Sequence, residues 1–150
     1  MKVSDKVKEH LNNSKRINVL STANKDGVAN VAIFGSPILT EEYNISLVFK
    51  DTSRSYANLK ENPHASCLVM IPGDTPTKMS GCRLYLKVNR IESSRNPVYL
   101  QKRDDKEGTW EAGFDADLEK KTEQREETDS HLVIFDIVDA RPIVDMGQGI

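Results

Sequence analysis

The sequence predicts a mainly β protein, a six-stranded antiparallel β-barrel with peripheral helices. Six apolar or alternating runs have the length and pattern of strands: 17–22, 28–34, 45–49, 65–71, 82–92 and 132–138. A parallel sheet would need a helix of about a dozen residues between most strands, and the first three runs lie too close together for one. We therefore expect antiparallel strands in meander-like succession, with 45–49 as the third strand of the meander.

Length, charge and composition restrict the class of protein. The 150 residues suffice for one domain with a substantial core, so we expect a single domain over 1–150. The formal net charge of -2 gives no basic field for nucleic acid. No apolar run approaches the ~20 residues of a membrane span, and the start of the chain lacks a hydrophobic signal region. We expect a cytoplasmic protein without nucleic-acid or membrane partners.

Cysteine and histidine usage argues against disulfide and metal sites. Cys67 and Cys82 are too few for a disulfide framework, and Cys67 lies in an apolar run, where a thiol behaves as a small hydrophobe. The three histidines, His10, His64 and His131, show no metal-ligand spacing. We therefore expect no metal.

The N-terminal segment predicts a short packing helix over 4–13. Ser4 is a suitable N-cap, and Val3, Val7 and Leu11 recur on one side of the helix. A single apolar stripe of this kind indicates core packing and not a binding surface.

The second strand has unusually small side chains. It follows Asp26-Gly27, and an Asp-Gly pair between two β-like runs is a strong hairpin signal. Ala29, Asn30 and Ala32 leave little bulk along the strand. Small residues would let a flat ligand approach the backbone closely, and they would equally let a helix pack there.

The later strands differ in their patterns. The run 65–71 is almost continuously apolar, which predicts a central strand buried on both faces, whereas 82–92 alternates and predicts one wet face. Part of 93–107 is predicted to be helical. The segment 115–130 is almost entirely charged or polar, which is compatible with a solvated helix or with a mobile loop.

The stretch 51–63 has the composition of an anion site. Thr52 and Ser53 stand where a short helix should begin, Arg54 follows them, and Asn62-Pro63 ends the helix. Hydroxyls, free first-turn N–H groups and a guanidinium together suit a phosphate. The same residues are also explained as a simple helix cap with a solvated arginine.

Common catalytic motifs are absent from the sequence. It contains no Gly-x-Ser-x-Gly, no P-loop, no Gly-x-Gly-x-x-Gly after a strand and no His-Glu-x-x-His. No residue is singled out as a nucleophile or a general base. An enzyme of this kind often takes its chemistry from a cofactor, while the protein binds and orients it.

The order of several short motifs resembles the FMN-binding split-barrel proteins related to pyridoxamine 5′-phosphate oxidase. The resemblance covers the first 92 residues well and the last strand loosely. The motifs that carry it are Ser21-Thr22-Ala23-Asn24-Lys25-Asp26-Gly27, Asn30-Val31-Ala32, Ile45-Ser46-Leu47-Val48-Phe49, Ser53-Arg54-Ser55 and Asn58-Leu59-Lys60-Glu61-Asn62-Pro63.

The resemblance implies a split β-barrel that is a homodimer with FMN in the subunit interface. It implies phosphate contacts from four residues at the helix start: Thr52, Ser53, Arg54 and Ser55. It implies that two strands lie along the isoalloxazine and ribityl groups, through Ala29, Asn30, Val31, Ala32, Val48, Phe49 and Lys50. Arg83 matches a strand position that reaches the flavin of the partner subunit.

The chain also departs from the family. Ser55 stands where the family frequently has a lysine, and the segment 141–150 has no match to the substrate-binding segment of true pyridoxamine phosphate oxidases. We therefore expect a flavin-dependent oxidoreductase that passes electrons from a reduced nicotinamide to another small molecule or to oxygen, and not a vitamin B6 oxidase. The alternatives are a non-catalytic flavin carrier or sensor, or the same fold with a deazaflavin or haem.

Overall fold

The computed structural model describes four ranges of the chain: 1–35, 37–41, 43–93 and 130–144. The predicted helix within 93–107 and the polar stretch 115–130 lie outside the described residues, apart from their outermost positions. The single domain over 1–150 stays a prediction.

The described residues form seven strands, two α-helices and a 3₁₀ turn at Pro76–Lys78. The helices are α1 (Asp5–Asn12) and α2 (Arg54–Glu61). The strands are β1 (Ile17–Ala23), β2 (Ala29–Phe34), β3 (Ile38–Glu41), β4 (Asn44–Lys50), β5 (His64–Ile71), β6 (Ser80–Ser93) and β7 (Ser130–Pro142).

All seven strands join one antiparallel sheet, which confirms the predicted fold class. Their order is β2-β1-β5-β6-β7-β4-β3. The additional strand, β3, follows Pro37 and has only four residues, too few to show an alternating pattern. β4 pairs with β3 and β7. The prediction that it continues a meander from the preceding long strand is therefore wrong, because its second neighbour comes from the C-terminal part of the chain.

The sheet curls around one apolar core. Phe34 at the end of β2 and Phe49 of β4 have ring centroids 4.8 Å apart, although their strands lie near opposite ends of the sheet order. Phe135 of β7 packs edge-on against Phe49 at 6.3 Å. Aromatic pairs at such distances stabilise a core beyond the area that they bury. The inner face is therefore continuous from β2 to β4.

The hairpin predicted at Asp26-Gly27 is present. Gly27 has φ +81°, a conformation that glycine adopts without a steric penalty. The Asn24 side chain stabilises the turn, because its Oδ1 accepts from the backbone N–H groups of Asp26 and Val28, at 2.9 Å each. β1 and β2 pair directly on either side of this turn.

β5 is central in the sheet, as predicted, but only one of its faces is fully covered. Cys67, Val69 and Ile71 point into the core and are buried. Leu68 and Met70 on the other face are half-buried. The prediction of two buried faces is therefore wrong for a single chain, which leaves an apolar outer surface.

The two helices pack on different parts of the barrel. α1 contacts β3, β5 and β6, and its predicted apolar residues Val3, Val7 and Leu11 are all buried. α2 contacts β1, β2 and β4, so it lies beside the edge strand β2. Among the described residues no helix is long and apolar enough to cross a membrane.

Candidate functional site

The start of α2 is a capped helix end without a carboxylate in its first turn. The Ser53 hydroxyl accepts from the backbone N–H of Tyr56 at 3.1 Å, which confirms the predicted cap. Thr52 and Arg54 are exposed beside it. A hydroxyl that accepts one hydrogen bond still has its own proton to donate. The helix end therefore offers hydroxyl donors, a guanidinium and the positive end of the helix dipole to an anion.

Buried polar contacts fix α2 against the first two strands. The amide nitrogen of Asn58 donates to the Thr22 hydroxyl at 3.0 Å. Asn30 of β2 donates to the Ser55 hydroxyl at 3.3 Å, and Ser55 is only 3% exposed. Such pairs hold their partners firmly, because a buried polar group without a partner is costly. Ser55 and Asn30, both predicted site residues, are thus brought together.

A second set of contacts holds α2 from the side of β7. The Nε2 atom of His131 lies 2.9 Å from a carboxylate oxygen of Asp51, and its ring stacks on Tyr56 with centroids 4.1 Å apart and planes 4° from parallel. Lys60 Nζ lies 5.0 Å from the centre of the Tyr56 ring. Burial, with a smaller contribution from Asp51, raises the pKa of Tyr56 above its usual value. The Tyr56 phenol is therefore neutral in the ordinary pH range.

The outer face of the sheet carries an open cavity of about 220 Å³ across β1, β2, β5 and β6. Half of its eight lining residues are apolar, two are serines, and Arg83 and Tyr85 of β6 give it a polar side. The guanidinium of Arg83 is oriented by its Nε, which donates to the Pro142 carbonyl at 2.9 Å. The full lining is Val19, Ser21, Val31, Ser66, Cys67, Leu68, Arg83 and Tyr85.

The surface around this cavity is apolar where the outer face of a sheet is usually polar. Val31 and Ile33 on β2 are 66% and 77% exposed. β2 is also an edge strand, with one side unpaired within the described sheet. Exposed apolar surface beside an unpaired strand is a common mark of a binding surface.

β2 connects the cavity to the start of α2. Asn30 points to Ser55 at the helix, and the next residue, Val31, lines the cavity on the other face of the sheet. The neighbouring Ala29 is exposed and Ala32 is half-buried, so their small side chains leave the backbone of β2 accessible to a ligand. The residue that contacts α2 and the residue that lines the cavity are therefore adjacent in the sequence of an accessible edge strand.

The remaining predicted site residues lie on β4, and they differ in accessibility. Val48 and Lys50 are half-buried, and the Lys50 carbonyl accepts from the N–H of Ser53 at 3.0 Å. The Phe49 ring is 1% exposed within the core, so only its backbone is left for a ligand. The assignment of these residues to a cofactor stays a prediction.

Several residues of the candidate site were not identified from the sequence. Six of them line the cavity: Val19, Ser21, Ser66, Cys67, Leu68 and Tyr85. All except Cys67 occupy the outward positions of their strands, a signal that becomes readable only once the strand order is known. His131 also belongs to the surroundings of the site, and no local pattern in the sequence links it to Asp51, 80 positions away.

The cysteines are not candidate nucleophiles. Both are free thiols in the core, and burial raises the pKa of each to about 12. A thiol is nucleophilic as the thiolate, which is scarce at neutral pH under these conditions. Among the described residues no group of His, Cys, Asp and Glu side chains has the geometry to hold a metal ion.

No family model and no curated protein matches the chain. Solved structures do match it along almost its whole length. An FMN-binding protein from Syntrophomonas wolfei has a TM-score of 0.62 at 18% identity, with 93% of this chain and 89% of that chain covered. An F420 reductase has a TM-score of 0.60 at 14% identity, with 92% and 98% covered.

A third similar structure is HutZ, a haem storage protein from Vibrio cholerae. Its TM-score is 0.59 at 14% identity, with 91% of this chain and 96% of that chain covered. At such identities the likeness concerns the fold. The chain has the split-barrel fold of the proteins related to pyridoxamine 5′-phosphate oxidase.

Proposed function

We propose that this protein is an FMN-binding flavoprotein whose cofactor crosses the edge strand β2. The phosphate binds at the start of α2, and the isoalloxazine ring binds at the cavity on the outer face. The observation that carries this proposal is the pair of adjacent residues Asn30 and Val31. Asn30 contacts the helix start and Val31 lines the cavity, so one extended ligand with a phosphate and a flat ring fits both parts.

The helix start supports the phosphate end of the proposal. Ser53 and Ser55 each accept a hydrogen bond within the protein, and the half-buried Ser53 keeps a hydroxyl proton for a phosphate oxygen. Thr52 and Arg54 are exposed and add a further hydroxyl and a positive charge. The carboxylate of Asp51, the nearest acidic group in sequence, is paired with His131.

The apolar outer face supports the ring end and a homodimer. A flat ring bound on Val31 would still leave Ile33 and much of the apolar outer face exposed to water. Such an apolar face is usually covered by a second protein surface. A two-fold related copy supplies such a surface and makes a pocket that one small barrel lacks. In this arrangement Arg83, on the polar side of the cavity, lies beside the flavin in the subunit interface.

We propose oxidoreductase activity as the use of the bound cofactor. FMN would supply the electron-transfer chemistry, between a reduced nicotinamide and a small acceptor or oxygen. The protein's part is to hold the phosphate at α2, to keep water from the ring through Val19, Val31 and Leu68, and to leave a face open to reactants. Ala29, Ala32, Val48 and the Phe49 and Lys50 backbone complete the proposed cofactor contacts.

The cavity lining also favours a second candidate function, a flavin carrier or sensor without a dedicated substrate. Among the described residues that line the cavity there is no carboxylate and no histidine, and Tyr85 has no such partner for acid–base catalysis in the lining. Steady-state assays with reduced nicotinamides and a panel of acceptors separate the two functions. Sustained turnover with any of them would exclude the carrier function.

The fold is also compatible with a deazaflavin or a haem, given its likeness to an F420 reductase and to HutZ. The described cavity residues include neither histidine nor methionine but do include Tyr85, and tyrosine is also a known axial ligand of haem iron. The absorption spectrum of the purified protein, with mass-spectrometric identification of any bound molecule, distinguishes the three cofactors.

Titration with FMN tests the central proposal. We expect a flavin absorbance band to stay with the protein after unbound FMN is removed. A protein that remains colourless after this treatment would contradict the proposal. Arg83→Ala should weaken FMN binding in the dimer, and an unchanged affinity would count against the interface placement of Arg83.

A further inference from the structure

His131 contacts both residues that flank the proposed phosphate-binding stretch. The stretch Thr52–Ser55 is preceded by Asp51 and followed by Tyr56. His131 lies 2.9 Å from the carboxylate of Asp51 and stacks in parallel on the ring of Tyr56. One side chain from β7 thus fixes both ends of a four-residue segment.

The surroundings of His131 make it a rigid support. The residue belongs to β7 and is 8% exposed, and its backbone is paired with Phe49 on β4 and Ser93 on β6. Phe49 is in turn packed into the core against Phe34 and Phe135. Contacts to a residue held in this way fix a loop more firmly than contacts between exposed side chains.

Asp51 and Tyr56 contribute in different ways. Asp51 is about half exposed, with 54% of its side-chain surface accessible, so its position depends strongly on a partner. Tyr56 is 6% exposed, and its phenol ring contacts both the His131 ring and the Lys60 ammonium group. The contact to Asp51 therefore restrains the turn before the helix, and the stack restrains its first turn.

We infer that His131 is a positioning residue for phosphate recognition, which sets the geometry of Thr52–Ser55 through Asp51 and Tyr56 without touching the ligand. Hydroxyl and N–H donors stabilise an anion only when several of them converge on it at hydrogen-bond distance. Loss of the support would let the donors spread apart. His131 has this role only if the start of α2 holds a phosphate, so the role rests on the proposed function.

The test compares FMN with riboflavin, which has the same ring and ribityl chain but no phosphate. His131→Phe keeps a flat ring against Tyr56 and removes the nitrogen that contacts Asp51. We expect the Kd for FMN to rise about tenfold, equivalent to ~1.4 kcal/mol. The Kd for riboflavin should change by less than about twofold, because riboflavin makes no phosphate contact.

The matched control is His10→Phe. His10 is 6% exposed, similar to His131, but it lies on α1, which packs on β3, β5 and β6. This variant makes the same chemical change at a distant buried histidine. We expect the ratio of the two dissociation constants to equal that of the wild type.

Asp51→Ala tests the role of His131 by whether it strengthens or weakens FMN binding. Removal of a negative charge two residues before the cap should tighten FMN binding if Asp51 acts only through its charge. It should weaken FMN binding if the contact to His131 holds the stretch in place, and we expect this weaker binding. Because Asp51 is half exposed, this variant decides the question even if His131→Phe does not fold.

The outcomes separate this role from the proposed function. Unchanged FMN affinity in His131→Phe, equal weakening of FMN and riboflavin, or tighter FMN binding by Asp51→Ala would each overturn the role of His131 alone. If wild-type protein binds FMN no better than riboflavin, the phosphate site itself is wrong, and both proposals that depend on it are overturned.

Discussion

The two helices have the same length and the same kind of cap but different surroundings. Each has eight residues and begins after a serine whose hydroxyl accepts from a backbone N–H three residues on. α1 has Asp5 in its first turn and buries an apolar stripe, whereas α2 has no acidic residue there and buries the polar residues Ser55 and Asn58. A cap alone therefore does not define an anion site. The difference lies in the first-turn charge and in the polar contacts that hold the helix.

The largest expected effect comes from the apolar contacts of both helices. Leu11→Ala on α1 and Leu59→Ala on α2 each remove a side chain that is at most 3% exposed. Each should lower the free energy of unfolding by about 2–5 kcal/mol, measured by urea denaturation. Only Leu59→Ala should also weaken FMN binding, measured on folded protein. Equal flavin affinities in the two variants would remove the distinction between the helices.

The next effect concerns the first-turn charge. Arg54→Ala should weaken FMN binding by about 1.5–3 kcal/mol through loss of a charge-assisted contact, with little change in stability. Lys6→Ala removes an exposed cation from the first turn of α1 and is the matched control, with unchanged affinity expected. Isothermal titration with FMN measures both. Wild-type affinity in Arg54→Ala would show that the phosphate assignment is wrong.

The caps should have similar effects on stability and different effects on binding. Ser4→Ala and Ser53→Ala should each lower the free energy of unfolding by about 1 kcal/mol, since each leaves a first-turn N–H without its side-chain acceptor. Ser53→Ala should in addition raise the Kd for FMN. If Ser4→Ala raises this Kd as much, the change reflects general destabilisation and not a site at α2.

The smallest expected effect is a dependence of the free energy of unfolding on pH, which arises from His10 on α1. Burial lowers the pKa of His10 from its usual 6.5, so the unfolded chain takes up this proton at a higher pH than the folded protein does. The free energy of unfolding should therefore fall as the pH drops below about 6.5. His10→Phe should reduce this fall, measured by urea unfolding at pH 7.5 and 5.5. An identical pH dependence in the variant would exclude His10 as its source.

Local features of the fold were predictable from the sequence because they depend on neighbouring residues. The Ser53 cap, the turn at Gly27 and most strand limits agree with the structure. The sequence does not predict β3, because four residues show no periodicity, and it does not predict the pairing of β4 with β7, because β7 is distant in the chain. The pattern within a strand indicates which residues alternate between its two faces, but it does not indicate which other strand pairs with that strand.

The candidate site likewise has one part that the sequence predicts and another that depends on long-range strand pairing. The helix start Thr52–Ser55 and the small residues of β2 were identified from their composition, since hydroxyls and a guanidinium suit a phosphate wherever a helix begins. The cavity depends on four strands meeting in a particular register, with Val31 and Arg83 lining one space. Side chains from separate strands face a common ligand only after long-range pairing has set that register.

The sequence by itself determined six of the seven described strands, the two capped helices and the phosphate-compatible stretch, because hydrogen bonding and periodicity act over a few residues. Only the tertiary structure decided that this stretch is held by His131 and that β2 joins it to an apolar cavity on the opposite face. Those relations arise from long-range strand pairing: β4 pairs directly with β7, which brings residues 80 positions apart within 2.9 Å. No local pattern carries that information.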